Sequence, residues 1–158
     1  MTRLTVLSVG RVRTPGLAAA IEEYENRLQH YYRFDSIAVP AAQLPDSRAA
    51  AARDEEGDAL LKRAPQGPAL VALTREGKRW TTRTLADRIQ EIQTYGGGGL
   101  AFAIGGAHGL AAHVLDRASH RVSLSQLTLP HEVARLVLTE QLYRAGTILR
   151  GEPYHKGP

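Results

Sequence analysis

Along the chain, short apolar runs alternate with segments whose apolar residues recur at helical spacing. Arg3-Leu-Thr-Val-Leu-Ser-Val9, rich in aliphatic and β-branched residues and stopped by Gly10, reads as a buried strand. After Pro15-Gly16, the residues Leu17, Ile21, Tyr24 and Leu28 share one helical face, which predicts a helix from Leu17 to Tyr31. Ser36 to Val39 predicts a second strand ended by Pro40, and Ser47 is the expected N-cap of an Ala-rich helix reaching Arg63. Ala69 to Leu73 is a continuous apolar run of strand length. The polar stretch Thr74-Arg-Glu-Gly-Lys78 after it reads as a turn, and Thr82 or Thr84 then caps a helix to Tyr95. Leu100 to Ile104 is another buried strand, running straight into Gly105-Gly-Ala-His-Gly109. A short helix from Ala111 to Ala118 precedes the strand Arg121 to Leu124, and a long helix spans His131 to Leu149.

Strands alternating with helices predict an α/β fold, a mostly parallel sheet with helices on both faces, in one domain over residues 1–158. The last helix carries Val133, Leu136, Val137, Leu138, Leu142, Tyr143, Ala145, Ile148 and Leu149, more than one apolar stripe. A helix covering one face of a monomer needs fewer, so a second face is expected to pack on a partner subunit. The polar tail Arg150 to Pro158, interrupted by Pro153, is expected to be irregular and to make few buried contacts.

Composition narrows the function classes. The chain of 158 residues holds no cysteine, which excludes disulfides and thiolate metal sites and fits the cytoplasm. No run approaches the roughly 20 apolar residues of a membrane span, and Met1 to Val9 lacks a signal-peptide core. Twenty Lys and Arg against sixteen Asp and Glu give a net charge of +4, which favours a polyanionic partner.

Candidate chemistry sits first at the turns that follow strand ends, where open α/β sheets place ligands. Three stand out: Leu73-Thr74, Gly105 to Gly109 and Leu124 to Pro130. Neither a dinucleotide fingerprint nor a P-loop is present, so the residues alone leave an uncommitted pocket, and plain tight turns read equally well. The second candidate is Arg150-Gly-Glu-Pro-Tyr-His-Lys156, which combines a stacking surface, a proton acceptor and phosphate contacts; a solvated chain end is its bland alternative. His30, His108, His113, His120, His131 and His155 form no metal-ligand pattern, and no metal is expected. No G-x-S-x-G elbow points to a hydrolase. A non-catalytic RNA-binding module on the same basic surface stays open as the alternative to an enzyme.

Four motifs weigh on that choice: Ala103-Ile-Gly-Gly-x-x-Gly-Leu110, Leu124-Ser-x-Leu-Thr-Leu-Pro-His131, Glu140-Gln-Leu-Tyr-Arg-Ala145 and Pro153-Tyr-His-Lys156. In order and spacing they resemble the RlmH family, SPOUT-class methyltransferases acting on N3 of a pseudouridine in 23S ribosomal RNA. The resemblance implies a C-terminal trefoil knot, a rare exception to unknotted chains. It also implies a homodimer, S-adenosylmethionine as cofactor, and the assembled ribosome as substrate. Carried over by motif, the cofactor site comprises Leu73, Gly105, Leu124, Ser125, Gln126, Leu127, Thr128 and Leu129. The chemistry then needs a proton acceptor for the N3–H, for which His155 is the expected residue, with Tyr154 stacking on the base and Arg144 holding phosphate or carbonyl oxygens. His108, Gly146 and the extra Gly157-Pro158 depart from the family's pattern without touching those residues.

Overall fold

The two-residue period of the strands decides the architecture. The computed structural model describes residues 1–158. Its strands are β1 (Arg3–Val9), β2 (Arg33–Val39), β3 (Ala69–Arg79), β4 (Leu100–Ile104) and β5 (His120–Ser123), and its helices are α1 (Pro15–Leu28), α2 (Ala49–Arg63), α3 (Thr82–Tyr95), α4 (Ala112–Arg117) and α5 (His131–Leu149). All strand pairs are parallel, in the order β2-β1-β4-β3-β5. Parallel neighbours need crossover connections, and the helices supply them.

Alternate strand residues feed two cores. Leu4 and Val6 of β1 with Leu100, Phe102 and Ile104 of β4 face one side, joined there by Leu28 of α1, Leu85 and Ile89 of α3 and Leu138, Leu142 and Ala145 of α5. Leu7, Val9, Ala101 and Ala103 face the other side, where Leu60 of α2 and Val114 of α4 cover them. Both faces of the central strands are thus dry, which is why β4 reads as an unbroken apolar run and β1 as one interrupted only by the small buried Thr5 and Ser8. Burying a side chain such as Phe102 or Leu142 contributes about 1.5–3 kcal/mol.

Several boundaries move. The first helix begins at Pro15, a residue suited to the first helical position, and ends at Leu28, and β2 starts at Arg33 rather than Ser36. Ser47 is not a cap: it lies inside a short 3₁₀ turn, Asp46–Arg48, that leads into α2 without a side-chain cap. The cap of α3 is Thr81, whose hydroxyl accepts from the Thr84 N–H at 3.0 Å, one residue before the expected Thr82. The polar stretch Thr74 to Lys78 is not a simple turn. It belongs to β3, which shifts register between Leu73 and Lys78 and pairs again with β5, Lys78 opposite Val122 and Arg79 opposite Ser123. Leu124 falls just beyond β5.

Helix α5 packs on both α1 and α3. Gly146 lets α5 approach the turn between α1 and β2, because a Cβ there would lie 3.0 Å from Tyr31 Cδ2 and from the Tyr32 hydroxyl. On its outer face α5 leaves Val133 and Leu136 half-buried and Val137 36% exposed, so the chain alone does not cover its second stripe. No helix is long and apolar enough to cross a membrane.

Candidate active site

The register shift within β3 and the turns after β4 and β5 meet around one cavity of about 920 Å³. Leu73, Gly105, Leu124, Ser125, Leu127, Thr128 and Leu129 all line it; Gln126 alone of the expected set turns away. Ile104, Leu110 and Leu115 add apolar wall, and Pro130, His131 and Ala134 bring the start of α5 to the same place. Leu127, on the cavity wall, is 74% exposed.

The wall segment after β5 is held by its own serines. The Ser123 hydroxyl donates to the Ser125 carbonyl at 3.0 Å, and the Leu127 N–H donates to the Ser125 Oγ at 2.9 Å. Serine at these positions therefore shapes the loop, a local side-chain-to-backbone turn.

Gly105 has a different reason from the one its place in the motif implies. A Cβ on it would lie 2.6 Å from the Gly109 carbonyl carbon and 2.9 Å from the Leu110 nitrogen, not out in the cavity. The loop folds back on itself there, with Gly109 N–H donating to the Gly106 carbonyl at 3.1 Å. Gly105→Val is expected to force this loop open, abolishing calorimetric binding of the cofactor that the resemblance implies, S-adenosylmethionine, and lowering Tm while the secondary structure by circular dichroism persists. Wild-type affinity in that variant would show that the loop's shape does not matter to the site.

The tail is ordered by contacts rather than frayed. Tyr154 sits edge-on to Tyr143 with ring centroids 4.8 Å apart, and its hydroxyl donates to Glu140 Oε1 at 3.0 Å. Arg144 donates to that same oxygen through Nη2 at 2.6 Å and Nε at 3.0 Å, and its guanidinium lies 4.8 Å from the Tyr154 ring centre. Arg144 Nη1 lies 3.4 Å from His155 Nδ1. A guanidinium only donates, so Nδ1 is the acceptor and the imidazole proton is on Nε2, which points at the Pro158 backbone oxygen 3.1 Å away. Glu140 is the hub that the sequence reading left without a role; its position four residues before Arg144 is the i,i+4 signal that identifies it.

Burial first, then hydrogen bonding to Tyr24 and Glu140, pushes the Tyr154 phenol well above its ordinary range. It stays a neutral donor at any physiological pH. The hydrogen bond to Glu140 raises Arg144 further, so it stays cationic.

Expected catalytic and cofactor residues thus form two groups, not one. The cavity lies at His131, the tail cluster at Arg144, thirteen residues along α5, or about 20 Å. Sequence reasoning also passed over His131, His108, Arg53 and Arg75, all on the cavity wall. His131 follows Pro130 directly, and that placement at a helix start is the signal that marks it. Its neighbour Glu132 accepts from the Arg13 and Thr14 backbone, tying the loop after β1 to the start of α5.

The family model described as "Predicted SPOUT methyltransferase" matches residues 2–155. Proteins named ribosomal RNA large subunit methyltransferase H are similar over nearly the whole length. That of Anaeromyxobacter sp. (strain Fw109-5) is 49% identical, over 98% of this chain and 99% of its own. That of Gemmatimonas aurantiaca is 46% identical over the same shares, and that of Bacillus pumilus 39% identical over 97% and 99%. The chain belongs to the SPOUT methyltransferase family, beside the ribosomal RNA large subunit methyltransferases H, and is an enzyme of that kind.

Proposed function

We propose that the protein transfers a methyl group from S-adenosylmethionine to N3 of a pseudouridine in 23S ribosomal RNA. It acts as a homodimer on the assembled ribosome, in the cytoplasm. The observation that carries this reading is the single cavity shared by Leu73, Gly105 and the loop from Leu124 to Leu129. An adenine and a methionine chain need apolar walls with exposed backbone beside them, and these residues fit that need. The reading includes the C-terminal trefoil knot that the family resemblance implies.

Bound there, S-adenosylmethionine supplies a methyl group already activated by its sulfonium. The protein's tasks are then to align the N3 nitrogen and to take its proton. Tyr154 is held protonated and Arg144 has no lone pair, so the acceptor in this reading is His155, through the Nδ1 that Arg144 releases when it turns to the RNA. The Tyr154 ring offers a face for stacking, and Arg144 beside it serves phosphate or carbonyl oxygens.

The 20 Å between cluster and cavity is why the reading needs two subunits. Val137, the most exposed apolar residue of α5, lies halfway between His131 and Arg144. Two α5 helices crossing there in opposite directions bring the tail of each chain to the cavity of the other, the self-complementary geometry of a two-fold dimer. A preassembled ribosomal surface also adds selectivity for one base among many.

Labelled cofactor offered to ribosomes, separated subunits and naked RNA in parallel tests the reading. Label is expected at N3 of a pseudouridine in large-subunit RNA, most of all in the assembled ribosome. Label on another base or atom would overturn the substrate assignment, and no transfer to any of the three would overturn the ribosomal target.

A further inference from the structure

Positive charge gathers on the segment that runs from the end of the apolar part of β3 into α3. Residues 74–88 hold five Lys and Arg side chains against two carboxylates, a local excess of three in a chain whose net charge is +4. Arg75, Lys78, Arg79 and Arg83 are exposed, and none forms an ion pair, whereas Arg88 pairs with Glu91 at 3.1 Å. Glu76, the carboxylate among them, accepts from the Thr74 hydroxyl at 2.7 Å.

This segment is built rigidly. It is the part of β3 beyond the register shift, pinned by backbone pairing of Lys78 and Arg79 with β5, the edge strand. Gly77 crosses so near that strand that a Cβ would lie 2.6 Å from the Val122 nitrogen. The Thr81 cap then starts α3 immediately, placing Arg83 in its first turn. A cation there opposes the helix dipole, and no acidic residue in that turn offsets it. The cation is left unneutralised and open to an anionic partner. The potential is felt nearby: burial first, then the charges of Arg88 and Lys78, lowers His120 from its ordinary value. At its other end the segment reaches the methyl-donor cavity, because Thr74, Arg75 and Glu76 line it.

We propose that the β3 extension from Arg75 to Arg79, with Arg83 of α3, is a ridge that grips the sugar–phosphate backbone of the substrate RNA. It would fix the strand at the cavity rim and leave the choice of base to the cavity and tail. The proposal rests on the RNA reading above, and it assigns that RNA's phosphates a named contact surface. Phosphate contacts position a nucleic acid without reading sequence.

The test uses Lys78→Gln, Arg79→Gln and Arg83→Gln together, sparing Arg75 because it lines the cavity. Binding to ribosomes and to 23S RNA is measured across a salt series, independently of methylation, beside cofactor calorimetry and Tm. Three lost phosphate contacts are expected to make the slope of log affinity against log salt shallower by about 2–3. Affinity at physiological salt falls about tenfold, cofactor binding stays unchanged, and the charge-preserving triple variant with Lys78→Arg, Arg79→Lys and Arg83→Lys keeps the wild-type slope. An unchanged slope overturns the ridge, and so does weaker binding with unchanged slope, which would mean an uncharged ribosomal-protein surface. If the wild-type protein binds with a ridge-dependent slope but methylates nothing, the methylation reading fails and the ridge stands.

Discussion

His155→Ala is expected to lower kcat for ribosome methylation about 10²–10⁴-fold, the range for loss of a general acid–base residue. The other groups of the tail cannot take its place. The Tyr154 phenol is held neutral by burial and by its bonds to Tyr24 and Glu140, and Arg144 is fixed as a cation on the same Glu140 oxygen. Cofactor affinity is expected to stay near wild type, since the tail does not line the cavity of its own chain. Rising pH deprotonates the pseudouridine N3 without help from the enzyme, so the defect should shrink as pH increases. A defect of equal size at every pH would make His155 a positioning residue, and a wild-type rate would remove it from the chemistry. Point substitution is the right probe. Deleting Tyr154 to Pro158 would also remove the Tyr143–Tyr154 packing and the Glu140 bond, so a stability loss would be mixed into the result.

What the sequence revealed and what it hid divide along physical lines. β1 and β4 were legible because both faces are buried, which forces largely apolar runs. The cavity-forming segments were legible for the same reason: the apolar runs of β3, β4 and β5 end abruptly at them. The β3 extension was not, because Thr74-Arg-Glu-Gly-Lys78 has turn composition and its strand character comes only from pairing with β5. The one-residue error at Thr81 and the misplaced cap at Ser47 are of one kind: hydroxyl residues cluster near helix starts, and only backbone geometry picks the cap. Gln126 was carried along by its neighbours in the motif, yet a loop closed by Ser123 and Ser125 points it outward. Least legible was distance. Motif order places Arg144, Tyr154 and His155 in one site with Gly105, but 20 Å of helix separates the two groups within a chain.

That separation yields a second large effect, restoration of activity by mixing two dead proteins. Gly105→Val destroys the cavity loop and leaves the tail intact; His155→Ala does the reverse. If each site joins one chain's cavity to the other chain's tail, a mixed dimer has one site with both defects and one with neither. Random exchange of subunits makes half of the dimers mixed, so about a quarter of wild-type activity is expected to return. If cavity and tail of the same chain worked together, every site would keep one defect and the mixture would stay as inactive as its components. Exchange must first be possible, so light scattering should report a particle of about twice the 17.2 kDa chain mass at low micromolar concentration. A fully active monomer would defeat the shared-site reading before any mixing. A dimer whose exchanged mixture stays inactive would leave the α5 interface standing and remove the partner's tail from the active site.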